Sequence, residues 1–247
     1  MNYDISIYDR PSVAVDAVVF GVDDCKSATM DEKKLKILLV KRGEEPFMDM
    51  YSLPGGFLRK DETVEEAVRR ELEEEAGVTN SKLIPLKVYS KTGRDPRGWI
   101  ISDAFISLTN TVELSTFENS DAKEAVWLDL TYDSENDTIH IGDDTIISAD
   151  GFVLGNQIAF DHGQIIYDAF KKLQDEVKYH DIIFDLMPEL FTISDLHKPY
   201  KTILDKTETI QAFRKRIMPK IKETNLYENT TSAHRKSKLY RRKPKED

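Results

Sequence analysis

Residues 56–78 read GFLRKDETVEEAVRRELEEEAGV, and this stretch decides the fold. From about Thr63 to Ala76 it has the periodicity of an amphipathic helix. Val64, Ala67, Val68 and Leu72 recur at the spacing of one helical face. Gly77 is a natural stop, because glycine accepts the left-handed backbone that ends many helices. Glu71 lies three residues before Glu74 and four before Glu75, so the three carboxylates share another face. Carboxylates crowded in this way repel one another unless a cation lies among them. Hard oxygen donors at that density suit Mg²⁺ or Mn²⁺, which would also hold phosphates. Gly56 lets backbone come close to such a centre. Arg70 is placed to pair with a carboxylate such as Glu62 and orient it. Glu65, Glu66 and Glu73 read as a solvated face.

Upstream, Val13–Phe20 (VAVDAVVF) and Leu35–Val40 (LKILLV) read as strands, with a polar, turn-like segment between them. Ser52-Leu53-Pro54-Gly55-Gly56-Phe57 marks a tight, close-packed turn. Downstream, strands are expected at Leu83–Tyr89, Trp99–Leu108 and Ala125–Leu130, so helices and strands mix in an α/β layer structure. Residues 131–158 are polar and rich in Asp and Thr, and no element is assigned to them. From about Phe160 the texture turns helical. His162–Tyr179 carries apolar positions at Ile165, Ile166, Ala169, Phe170, Leu173 and Val177. A helix with Thr192 or Ser194 as N-cap runs to about Leu204, with Pro199 either tolerated or bending it. Another begins at Lys206-Thr207-Glu208 and ends near Met218. Strand-like pieces follow at Ile221–Tyr227 and Lys238–Arg241. The change of texture places two domains at 1–155 and 156–247.

Composition agrees. The chain has 247 residues, 40% hydrophobic and 32% charged, enough for two soluble domains. The single cysteine, Cys25, excludes an intrachain disulfide and a cysteine-based zinc site. No signal-peptide pattern and no apolar run of the ~20 residues needed to span a bilayer is seen, so a cytoplasmic protein without membrane contact is expected. The net charge of −10 argues against a basic coat for nucleic acid. The distribution is uneven, however, and residues 235–245 are dense in Lys and Arg, enough for a local phosphate-binding patch.

Residues 56–78 resemble the Nudix signature, GX5EX7REUXEEXGU with U aliphatic. Gly56, Glu62, Arg70, Glu71, Leu72, Glu74, Glu75, Gly77 and Val78 match every defined position. The resemblance implies an α/β/α sandwich with a mixed sheet, in which Glu62, Arg70 and Gly77 are structural. It implies a metal site at Gly56, Glu71, Glu74 and Glu75, and cleavage of a nucleoside diphosphate linked to another group by in-line attack of an activated water. The general base varies within the family. Here the acidic loop 118–124 supplies the candidates, Asp121 first, then Glu118 and Glu124. Residues 93–98, GRDPRG, resemble the corresponding segment of ADP-ribose-recognising members. Arg94 and Arg97 would then grip phosphate or the terminal ribose, although the same segment also makes a good tight turn with exposed charge. Tyr51 stands where many relatives have Trp.

Residues ~156–247 resemble the C-terminal winged helix of Nudix-related transcriptional regulators, through FDHGQII at 160–166, FTISDLHKPYKTIL at 191–204, AFRKRI at 212–217 and HRKSKLYRR at 234–242. The residues themselves allow this. Leu196, Tyr200, Ile203, Ile210, Phe213 and Ile217 can form a small core between two helices. Thr207, Thr209, Gln211, Arg214 and Lys215 would point outward toward base edges and phosphates. Lys236 and Arg241, with Arg235, Lys238 and Arg242, would sit on the wing and its tail. A helical dimerisation appendage with a solvated basic tail is the competing reading. The resemblances together imply a homodimer. Two functions follow: a Mg²⁺-dependent hydrolase of ADP-ribose or a related compound that carries a DNA-binding domain, or a transcriptional regulator whose Nudix domain senses ADP-ribose or a sugar-derived effector with little turnover.

Overall fold

A computed structural model describes residues 4–22, 34–79, 81–110, 122–155, 158–227 and 237–244. Along the chain these form β1 (Ser12–Val22), β2 (Leu35–Arg42), β3 (Tyr51–Ser52), β4 (Gly55–Phe57), α1 (Val64–Ala76), β5 (Lys82–Tyr89), β6 (Ile100–Thr109), β7 (Ala122–Asp133), β8 (Thr138–Ile141), β9 (Thr145–Ile147) and β10 (Val153–Leu154). Then come α2 (His162–Tyr179), α3 (Ile193–Leu204), α4 (Ile210–Ile217), β11 (Ile221–Tyr227) and β12 (Lys238–Arg242).

β1 to β10 make one mixed sheet in the order β10-β9-β8-β7-β2-β1-β6-β5, with β3 beside β2 and β4 beside β1. β1 and β6 run parallel, and β6 is followed only by the edge strand β5. Successive residues of a strand point to opposite faces, and β1 is apolar on both. Val15, Ala17 and Val19 pack with Leu38 and Phe105 against Ala67, Val68, Leu72 and Ala76 of α1. Val18, Phe20 and Val22 pack with Ile37, Leu39 and Ile106 against Ile165, Ile166 and Phe170 of α2. The sheet therefore lies between two helices, which is the expected α/β/α sandwich.

The polar segment 131–158, for which the sequence suggests no element, holds β8, β9 and β10. Ile139, Ile141 and Ile147 bury their side chains there, in strands whose burial alternates but over only three or four residues. The expected boundary at 155/156 falls just ahead of α2. That helix packs on the sheet, and its Gln174 Nε2 donates to the Ile203 carbonyl of α3 at 2.7 Å.

The C-terminal elements form a winged helix. Thr192 caps α3 in a reciprocal box with Asp195, and the helix continues through Pro199. Thr209 caps α4, accepting from the Ala212 amide at 3.3 Å. β11 and β12 pair antiparallel as the wing. Leu196, Tyr200, Ile203, Phe213, Ile217, Ile221 and Tyr240 are buried in one continuous core. Ile210, expected in that core, is instead 40% exposed. It is the first residue of α4, directly after the cap. Among the described residues no helix is long and apolar enough to cross a membrane.

Candidate functional site

α1 is fixed at both ends. Thr63 accepts from the Glu66 amide while Glu66 Oε2 accepts from the Thr63 amide at 2.7 Å, a capping box. Gly77 closes the helix in the left-handed region, φ 66°. Its apolar stripe is buried, so Glu71, Glu74 and Glu75 lie on the side toward β4.

Arg70 organises the acids. It grips Glu62 with two bonds, Nε to Oε2 at 3.0 Å and Nη2 to Oε1 at 2.7 Å. Its Nη1 donates to Glu71 Oε1 at 2.5 Å and to Glu74 Oε2 at 3.3 Å. The guanidinium holds the Glu62 carboxyl down to about 2. Glu71 is pushed up by burial despite Arg70. Glu75 is pushed up to about 8, first by burial and then by the charges of Glu71 and Asp16, although its Oε2 accepts from the Gly55 amide at 3.0 Å. A Cβ on Gly56 would stand 2.2 Å from Glu71 Oε1, so glycine is what admits this carboxylate to the backbone of β4.

Among the described residues no three acids converge on a single point where they could hold one ion. Glu71 and Glu74 turn toward Arg70, and Glu75 toward Gly55. The donor chemistry nonetheless fits a divalent cation. Burial and mutual repulsion leave Glu75 with too little compensating charge, which a hard cation would relieve.

These acids form one wall of a cavity of about 600 Å³. A second wall is a buried polar cluster that sequence reading did not find. Asp16 of β1 accepts from Ser102 Oγ at 2.5 Å and faces Arg94 Nη2 and His162 Nε2, each at 3.5 Å. Arg94 is buried and also binds Asp161 through two bonds, at 3.0 and 2.7 Å. His162 accepts from the Leu53 amide through Nδ1 at 2.9 Å. Burial lowers its proton affinity, so the ring is neutral with its proton on Nε2 toward Asp16. One signal was present in the sequence: a single charged residue inside the apolar run VAVDAVVF.

A third wall carries cations and rings. Arg97 pairs with Asp95 at 2.7 Å and lies over the rings of Phe57 and Phe160, 5.1 and 5.2 Å from their centroids. Arg42 lies over Phe160 at 4.8 Å, and Phe47 meets the same ring edge-on at 4.8 Å. Thus Arg94 and Arg97 both line the cavity, each already paired to an aspartate. Asp121 and Glu118 lie outside the described residues. Glu124 is exposed on β7.

On the winged helix Thr207, Thr209, Gln211, Arg214 and Lys215 are exposed around α4, and Arg241 is exposed on β12. Arg214 and Lys215 have no ion-pair partner among the described residues. Arg216 is different: it binds Glu208 at 2.6 Å and stacks over Tyr200 at 4.2 Å. Lys238 pairs with Glu223, and Arg242 with Asp185 at 3.2 Å. Lys236 and Arg235 lie outside the described residues.

Comparison with known proteins agrees with both halves. Residues 17–139 match the NUDIX domain and residues 183–242 match the NrtR DNA-binding winged helix domain. The chain is 28% identical over 245 residues to an ADPR responsive transcriptional repressor, NtrR, of Acinetobacter baylyi, covering 97% of this chain and 85% of that one. Over 124 residues it is 44% identical to an ADP-ribose pyrophosphatase of Methanocaldococcus jannaschii, covering 50% of this chain and 65% of that one. The crystal structure of Shewanella oneidensis NrtR with a 27mer DNA superposes with TM-score 0.70 at 27% identity, covering 94% of this chain and 93% of that one.

Proposed function

We propose that this chain, a Nudix domain joined to an NrtR-type DNA-binding winged helix, is a DNA-binding regulator whose Nudix cavity receives ADP-ribose or a close relative. One observation carries this reading. A single cavity joins the carboxylates of α1 to Phe160 and to His162, the first residue of α2, and α2 packs on α3 of the winged helix. A ligand that engages Arg94 competes with Asp161 and so acts on the helix between the two functions. Arg214 and Lys215 on α4, with Arg241 on the wing, supply phosphate contacts, and Thr207 and Gln211 stand where base edges are read. A homodimer belongs to the same proposal, since a two-fold protein matches a palindromic operator. Titration calorimetry of the full chain with ADP-ribose tests the ligand, and light scattering tests the dimer. Absence of heat across a micromolar to millimolar range would remove ADP-ribose from the account.

A second reading, turnover, is favoured by the intact box and by Glu71 lying against Gly56. When bound, Mg²⁺ or Mn²⁺ would neutralise the diphosphate and activate water for attack on phosphorus. Glu71, Glu74 and Glu75 with the Gly56 backbone are the residues we assign to hold it. Arg70 fixes two of those acids, and the Gly55 amide fixes the third. Asp121, and after it Glu118, is the base we assign. Release of AMP from ADP-ribose that requires Mg²⁺ and is lost in Glu75→Gln tests this reading.

A further inference from the structure

Five arginines line the cavity, and the ion pairs divide them. Arg70 is committed to Glu62, Glu71 and Glu74. Arg59 reaches Glu74 at 3.5 Å, Arg94 holds Asp161 and Asp16, and Arg97 holds Asp95. Arg42, at the end of β2, has no carboxylate within ion-pair distance among the described residues. Its bonds go to carbonyls, Nε to Pro46 at 2.8 Å and Nη2 to Glu44 at 3.5 Å. Its face rests on Phe160. Two carbonyl bonds leave donors unused on a guanidinium with five N–H groups. Burial and the charge of Arg97 disfavour the cation, and the carboxylates of Asp95, Glu75 and Glu44 offset this incompletely, from beyond ion-pair distance. A partly buried, unneutralised guanidinium is costly unless something anionic pairs with it.

We propose that Arg42 is the residue that receives the ligand's diphosphate, with Phe160 as the platform that orients its guanidinium. This rests on the reading of the cavity as a nucleoside diphosphate site, and it adds a binding residue outside the carboxylate helix and the GRDPRG loop. The elimination is chemical. An incoming phosphoryl oxygen competes with firmly held carboxylates at Arg70, Arg94 and Arg97, but not at Arg42. Arg59 touches Glu74 only at 3.5 Å, but its side chain is 63% exposed and lacks the ring that fixes the Arg42 guanidinium. The platform has a structural consequence. Phe160 is a non-glycine residue in the left-handed region, φ 55°, two residues before α2, so the diphosphate-binding cation rests on the segment that leads into that helix.

Binding of three probes to the full chain, in EDTA to prevent turnover, tests the proposal: ADP-ribose, ADP and adenosine. Arg42→Gln weakens ADP-ribose and ADP by tenfold or more and leaves adenosine unchanged, because only the first two carry a diphosphate. Arg42→Lys restores part of the loss by keeping the charge, which also shows that the fold survives substitution here. Phe160→Leu weakens ADP-ribose in the wild-type background and much less in the Arg42→Gln background, the signature of a platform acting through the arginine. Equal affinity of wild type and Arg42→Gln for both diphosphates overturns the proposal, and so does failure of the wild type to bind either one. ADP bound through Arg42 without ADP-ribose binding would instead overturn the choice of ADP-ribose and leave the role of Arg42 standing.

Discussion

Arg94 and Asp161 form a two-armed ion pair, Nε to Oδ2 at 3.0 Å and Nη2 to Oδ1 at 2.7 Å, that ties the loop after β5 to the start of α2. Asp161 precedes α2 but makes no side-chain cap bond, because its carboxylate is turned to Arg94. Arg94→Ala strands Asp161 and the buried Asp16 without their cation, and we expect a loss of about 2–4 kcal/mol in denaturant unfolding at neutral pH. Asp161→Asn keeps one polar arm and should cost about 1 kcal/mol. An Arg94→Ala protein as stable as the wild type would show that the pair is incidental.

Arg70 should set the titration of Glu62. The carboxyl of Glu62 lies at about 2 against an ordinary 4.5, chiefly through its bonds to Arg70. In Arg70→Ala we expect it to rise toward 4.5, readable as the side-chain carboxyl chemical shift by NMR. The sign for stability follows. A lowered carboxyl contributes stability that is present above about 4.5 and lost as pH falls toward 2. The stability gap between wild type and Arg70→Ala should therefore shrink on acidification.

Glu75 has the opposite sign. Burial raises it from 4.5 to about 8, so the folded state holds a proton that the unfolded state releases. Stability is lost as pH rises from about 4.5 to about 8. Glu75→Gln removes that penalty. In EDTA it should raise the unfolding free energy at pH 8 by an amount on the order of 1–2 kcal/mol, and leave it nearly unchanged at pH 4.5. A destabilised Glu75→Gln at pH 8 would contradict the placement of this acid.

The carboxylate helix, the central strands and both helices of the winged part were legible in sequence because each has a local cause. Periodicity marks the buried faces, Gly77 marks a stop, and Thr192 marks a cap. β8 to β10 were not legible, since their turns are long relative to strands of two to four residues. The Asp16, Arg94, Asp161 and His162 cluster joins residues that are distant in sequence, and the lone charge of Asp16 inside an apolar run is the one local sign of it. Arg42 illustrates the same limit. As part of LKILLVKR it reads as an ordinary strand end, and only the pairing of its four neighbours makes it distinctive.

α4 should carry the phosphate contacts. Arg214→Ala should weaken DNA binding about equally across sequences and reduce the slope of log affinity against log salt by about one. Fluorescence anisotropy over a salt series measures both. An unchanged slope would move the DNA face away from α4.

We propose that the Nudix cavity and the winged helix are linked through α2. The most direct measurement is the affinity of the full chain for a duplex from the region upstream of its own gene, with and without saturating ADP-ribose in EDTA. We expect specific binding whose Kd shifts about 5- to 150-fold with the ligand, the span of ordinary coupling between sites. We expect the shift to be lost in Asp161→Asn. Specific DNA binding unaffected by ADP-ribose, with the ligand shown by calorimetry to occupy its cavity, would contradict the account.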